Sequence, residues 1–193
     1  MRSICVFCGS NSGTRLVYPE AAQLLGRELV RRNLRLVYGG GNVGLMGILA
    51  DAVLSAGGEV VGVIPQALLA KEVGHSGLTE LHVVGSMHAR KALMAELSDA
   101  FVALPGGFGT LEEFCEVLTW AQLGLHRKPC GLLNIGGYYD SLLTFFQQAV
   151  TEGFLRAQHG ELVLVGRTPD EVLALLACYR PSPTEKWIDR DES

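Results

Sequence analysis

The chain has 193 residues and a formal net charge of −4, which fits one domain of ordinary size. With 48% hydrophobic and 19% charged residues, it has the make-up of a soluble globular protein rather than a disordered one. The acidic balance argues against a general nucleic-acid binder, whose domain would be basic, and leaves room for a local site that takes one phosphorylated small molecule.

The opening segment "ICVFC" is too short for a secretory signal and reads as a strand over residues 4–8. No apolar run approaches the roughly 18 residues of a membrane helix, so no membrane partner is expected. Cys5, Cys8, Cys115, Cys130 and Cys178 are an odd set. Cys5 and Cys8 fall three apart in a strand, where they point to opposite faces and cannot chelate one metal. The expectation is buried, reduced thiols in a cytoplasmic protein.

The first strand ends in "CGSNSG" (8–13), which includes Ser10. Small residues and hydroxyls there suit phosphate or sugar contacts, or simply a tight turn into the helix expected over 17–32. The strand over 34–38 ends in "GGGNVGLMG" (39–47), carrying Gly40, Gly41 and Gly44. Gly39, Gly41 and Gly44 have the spacing of a dinucleotide fingerprint. The acidic partner should then close the next strand (59–64), yet Glu59 opens it. A mononucleotide approached closely by backbone, or close helix–strand packing, explains the glycines better. A helix over 44–56 follows the loop.

After a strand over 80–84 comes "SMHARK" (86–91), opening a helix over 86–98 that Ser86 can cap. Met87, Arg90, Lys91 and Met94 share one helical face. Arg90 is either a solvated cation or one aimed at a nucleotide. The strand over 100–104 ends in "PGGFGTLEE" (105–113). Glycines, the Thr110 hydroxyl and a helix start make an anion site. This is not a Walker loop, since no G-K-[ST] is present. The helix is expected over 110–123, with Thr110 as its cap.

Glu113 admits two readings. Thr110 and Glu113 have capping-box spacing. A carboxylate beside a phosphate cradle also suits cleavage of an N-glycosidic bond, where the sugar becomes cationic while its phosphate is held as a handle.

A strand over 130–134, a helix over 139–152, a strand over 161–165 and a helix over 169–179, started by "TPDE", complete the alternation. Alternating strands and helices imply an α/β fold: a Rossmann-like, doubly wound parallel sheet in three αβα layers. Residues 1–180 form a single domain, and 181–193 are a polar tail. The histidines show no ligand spacing, so no metal is expected. The segment "FCEVLTWAQLGL" (114–125) holds more large apolar residues than one helix face hides, as at a two-fold contact.

Together, "GGGNVGLMG", "SMHARK" and "PGGFGTLEE" resemble the LONELY GUY family, cytokinin-activating phosphoribohydrolases formerly labelled possible lysine decarboxylases. The resemblance runs from about Ile4 to Cys178. It implies hydrolysis of an N6-substituted adenosine 5′-monophosphate to free base and ribose 5-phosphate, with no cofactor and no nucleic-acid partner, by a homodimer. It makes Arg90 and Glu113 the catalytic pair. Met87, Lys91, Gly106, Gly107, Phe108, Gly109, Thr110, Leu111, Glu112 and Thr119 then line the nucleotide site, with Glu72 a further contact. The alternatives are a non-catalytic nucleotide-binding protein and a pyridoxal-phosphate decarboxylase, for which Lys91 would be the only nearby lysine.

Overall fold

The computed structural model describes residues 1–69 and 74–181. In chain order it gives β1 (Ser3–Phe7), α1 (Val17–Arg31), β2 (Arg35–Tyr38), α2 (Gly44–Ser55), β3 (Val60–Pro65) and the short α3 (Gln66–Leu69). Then follow β4 (Glu80–Val84), α4 (Met87–Glu96), β5 (Ala100–Ala103), α5 (Phe108–Gln122) and β6 (Cys130–Leu133). A 3-10 turn (Ile135–Gly137), α6 (Asp140–Thr151), α7 (Ala157–Gly160), β7 (Val163–Gly166) and α8 (Pro169–Cys178) complete the described chain.

The strands form one parallel sheet in the order β4-β3-β2-β1-β5-β6-β7. Chain order reverses between β1 and β5, and ligands of such sheets bind at that point, outside the carboxyl ends of the strands. Cys5 pairs with Val37 on one side and Phe101 on the other, so β1, β2 and β5 end nearly level. The loops after them therefore meet at one edge.

Successive strand residues face opposite ways, which builds two cores. Ile4, Val6 and Cys8 pack with apolar residues of α1, α2 and α8. Cys5 and Phe7 pack with Met94 of α4 and with Phe114 and Val117 of α5. Cys5 and Cys8 thus lie on opposite faces, as expected. Cys130 is also buried, but Cys178 is exposed and Cys115 only half-buried, so the expectation of five buried thiols fails at those two. Both sit on helices rather than in strands, and a helix hides only one side. The central strands are buried along their length, whereas β4 is an edge strand with exposed residues.

Helix starts hold at two of the three expected caps. Ser86 Oγ accepts from Ala89 N–H at 3.1 Å, and Thr168 Oγ1 from Glu171 N–H at 3.2 Å, with Pro169 next. The third is corrected. α5 begins at Phe108, its cap is Gly107, and no side chain caps it. Thr110 is the third helical residue and is buried. Extended glycine backbone leads straight into the helix, and the Thr110 side chain fills the space a Cβ on Gly106 would take. Glu113 is then in the second turn, too far along to reach back to the cap, so Thr110 and Glu113 form no capping box.

Candidate active site

Three loops close on one another by backbone contact. Gly9 N–H donates to Pro105 C=O at 3.1 Å, tying the β1 loop to the β5 loop across the switch point. Leu45 N–H donates to Gly9 C=O at 3.0 Å, which seats the start of α2 against the β1 loop. Gly44 has φ +55°, and a Cβ there would strike the Ser10 backbone. A residue with a side chain cannot stand at this crossing.

The rest of "GGG" serves packing. A Cβ on Gly40 (φ +76°) would press on Ile64 and Leu81, its carbonyl accepts from His75 N–H at 3.1 Å, and Gly41 bridges Gly74. The dinucleotide spacing is therefore incidental. Glu59 precedes β3, on the opposite edge of the sheet.

The α5 end is different. Its hydrogen-bond ladder begins with Leu111 N–H to Gly107 C=O at 3.1 Å, so the N–H groups of Phe108, Gly109 and Thr110 stand ahead of it. The helix dipole adds partial positive charge at this end. Beside it lies a cavity of about 250 Å³, lined by residues 9–13, Tyr18, Leu45, Pro105, Gly106, Gly107 and Tyr138. Tyr138 is a neighbour that sequence reasoning missed. Its hydroxyl donates to Gly106 C=O at 2.6 Å, and Tyr139 donates to Leu104 C=O at 2.5 Å. The signal was there: "GGYYD" follows a strand at the ligand-binding edge.

Arg90, 5% exposed, reaches from α4 under the end of β2. Its Nη2 donates to Gly39 C=O at 3.1 Å, and Nη1 lies 3.8 Å from Met87 Sδ. Its Nε–H is buried and has no hydrogen-bond partner among the described residues. A buried donor without a protein acceptor needs one from outside the chain, a water or a ligand. Glu113 approaches from α5. Both charges bear on the thiols of Cys5 and Cys8 at the end of β1. Burial above all pushes these thiols up, Glu113 adds to it, and Arg90 opposes it. Arg90 is thus fixed at the end of β2, and Glu113 acts with opposite sign on the same β1 thiols.

Lys91, adjacent in sequence, turns the other way. Its Nζ donates to Glu112 and lies 3.1 Å from Glu116, and the lysine is 8% exposed. Burial draws its pKa down, but the bonds to Glu112 and Glu116 outweigh that and hold it above its ordinary value. Lys91 and Glu112 thus tie α4 to α5. The shared face expected for Met87, Arg90, Lys91 and Met94 divides: Met94 is core, Met87 is exposed, and the two cations diverge.

Thr119 stands about 16 Å along α5 from Phe108, at about 1.5 Å per residue. Its hydroxyl donates to Cys115 C=O at 2.7 Å. Within one chain the structure does not bring it to the cavity. Phe108 is 93% exposed at the cradle's mouth, Leu111 is half-buried, and Glu72 lies outside the described residues. Among the described residues no group of histidine, cysteine or acidic side chains could hold a metal ion. Nor is any described helix long and apolar enough to cross a membrane.

The profile of a family described as possible lysine decarboxylase matches residues 46–176, which include Arg90 and Glu113. The cytokinin riboside 5′-monophosphate phosphoribohydrolase LOG3 of Arabidopsis thaliana is 52% identical over 93% of this chain and 84% of its own. The chain belongs to the LONELY GUY family. A rice LONELY GUY protein, the probable phosphoribohydrolase LOGL9 of Oryza sativa subsp. japonica, is 55% identical over 93% of this chain and 79% of its own. Solved structures extend the fold beyond the LONELY GUY family. The molybdenum cofactor carrier protein of Chlamydomonas reinhardtii has TM-score 0.69 at 23% identity, over 91% of this chain and 96% of its own. The molybdenum cofactor binding protein of Rippkaea orientalis has TM-score 0.69 at 22% identity, over 91% and 95%.

Proposed function

We propose that this protein hydrolyses the N-glycosidic bond of adenosine 5′-monophosphate carrying an N6 substituent, releasing the free base and ribose 5-phosphate. One observation above all supports the reading. An uncapped helix start opens at the switch point, and Arg90, carrying a buried donor that no described residue satisfies, is fixed at the neighbouring end of β2. The backbone N–H groups from Gly107 to Thr110 take the 5′-phosphate. The reacting carbon then lies a sugar's length away, toward Arg90 and Glu113.

As the bond from C1′ to the base nitrogen breaks, its electron pair leaves with the base and the sugar gains oxocarbenium character. Glu113 stabilises that charge and positions a water. The water oxygen bonds to C1′ and gives a proton to the carboxylate, which passes it to the departing base. The carboxylate is thereby regenerated, and the products are neutral base and ribose 5-phosphate. Arg90, held by Gly39, directs its unpartnered Nε–H at the substrate and offsets charge on the leaving base.

The decarboxylase reading meets a physical obstacle. A Schiff-base lysine must be available as the free amine. Lys91 is instead held charged by Glu112 and Glu116.

We further read the enzyme as a cytoplasmic homodimer. Leu123 and Leu125, just past the end of α5, and Phe145 on α6 are exposed, and an isologous contact would cover them.

The test is product release. Adenosine 5′-monophosphate and its N6-substituted forms are expected to yield free base and ribose 5-phosphate, with kcat/KM far above that for the matching nucleosides. Nucleotide binding without turnover would leave only a nucleotide-binding protein. Equal kcat/KM for nucleoside and monophosphate would remove the phosphate from the account.

A further inference from the structure

We propose that Arg15 is the cation that reads the substrate's 5′-phosphate, and so sets the preference for monophosphates over nucleosides. The inference rests on the nucleotide reading of the site.

Charge accounting leads to it. A phosphate monoester brings close to two negative charges, while the α5 start offers neutral N–H groups and a partial charge. Lys91 is spent on Glu112 and Glu116. Arg90 is buried on Gly39, and its charge is opposed nearby by Glu113. Arg15 makes no ion pair among the described residues. Its Nη1 is 3.4 Å from Tyr18 Oη and 3.3 Å from Gly136 C=O, and its guanidinium carbon lies 5.5 Å from the Tyr18 ring centre. Tyr18 lines the cavity and meets Tyr138, another lining residue, edge-on at 5.7 Å.

Two further features set this arginine apart from an ordinary surface cation. It stands just ahead of α1, where the helix dipole disfavours positive charge. An anion bound at the same spot would offset that unfavourable placement. Gly136 also lies directly against it. The backbone there has φ +59°, and a Cβ would come within 2.8 Å of the Arg15 guanidinium. The β6 loop thus holds the guanidinium against Tyr18, itself a lining residue of the cavity, while Nη2 and Nε keep donors for a phosphate.

Calorimetry with adenosine 5′-monophosphate, ribose 5-phosphate and adenosine decides the matter on wild type, Arg15→Ala and Arg15→Lys. Arg15→Ala is expected to weaken both phosphate ligands by roughly tenfold to a hundredfold, the scale of hydrogen bonds to a charged group. Adenosine is expected to bind as to wild type, and Arg15→Lys to recover part of the loss. Unchanged affinity for the phosphate ligands in Arg15→Ala would overturn the proposal. So would an equal loss for adenosine, which would mark Arg15 as structural. If Arg15→Ala does not fold, Arg15→Gln, uncharged and longer, takes its place with the same two outcomes. Failure of wild type to release ribose 5-phosphate would sink the proposed reaction but not this claim, which the binding data settle separately.

Discussion

Gly39 and Arg90 are fitted to each other. The Gly39 carbonyl accepts from Arg90 Nη2 at 3.1 Å, and a Cβ on Gly39 would collide with that same nitrogen. Gly39→Ala must therefore push the guanidinium away. The expected result is a fall in kcat/KM of roughly a hundredfold, the scale of an ångström's misplacement at a reacting centre. In the Arg90→Ala background the same change is expected to cost little more, because the residue it displaces is already gone. Additive losses would show that Gly39 acts independently of Arg90.

Lys91 is expected to matter chiefly for stability. Lys91→Ala strips Glu112 and Glu116 of their common partner and is expected to cost about 1–2 kcal/mol, less than a fully buried pair because Glu112 is exposed. Since its pKa is raised in the fold, the contribution is whole below the unfolded value of 10.5 and fades as pH rises through the higher folded value. Denaturant melts at pH 8 and pH 11 check this. The gap between wild type and Lys91→Ala is expected to narrow at the alkaline end.

His126 predicts an acid sensitivity of the opposite kind. Its Nε2 bonds Val117 C=O at 2.9 Å, and Nδ1 accepts from Lys128 N–H at 3.1 Å. Protonation at Nδ1 removes that acceptor. Burial first, and the Lys128 charge after it, hold its pKa below 6.5, against a partial rise from the Val117 carbonyl. The unfolded chain therefore takes up the proton more readily. Stability is complete above pH 6.5 and declines as pH falls from there through the folded value, by at most about 1.4 kcal/mol per pH unit. Thermal melts between pH 5 and 8 are expected to show a shallower slope in His126→Gln.

The sheet was legible because its central strands are buried on both faces and so read as unbroken apolar runs, punctuated by glycine. Every expected strand lies within two residues of an observed one. The α5 start was misplaced because threonine is a conventional cap, whereas Gly107 leaves no side-chain signal. α3 and α7 were missed because four residues hold too little pattern to detect. Arg90 and Glu113 were named as the catalytic pair by resemblance alone, and they stand on α4 and α5, the helices on either side of β5 in the chain. The opposite directions taken by Arg90 and Lys91 could not be read from their adjacency. Nor could the contact of Arg15 with Gly136, since more than a hundred residues of chain separate them and only the sheet's crossover brings their loops together.

The central claim concerns Glu113, and Glu113→Gln tests it most directly. With Glu113 in the second turn of α5, no capping role remains to confuse the outcome. Glutamine keeps the size and hydrogen-bonding capacity of the side chain and removes its charge. The account predicts that kcat falls by roughly two orders of magnitude or more, while thermal stability and calorimetric binding of adenosine 5′-monophosphate persist. A folded Glu113→Gln enzyme that binds the nucleotide and releases ribose 5-phosphate at a near-normal rate would contradict it.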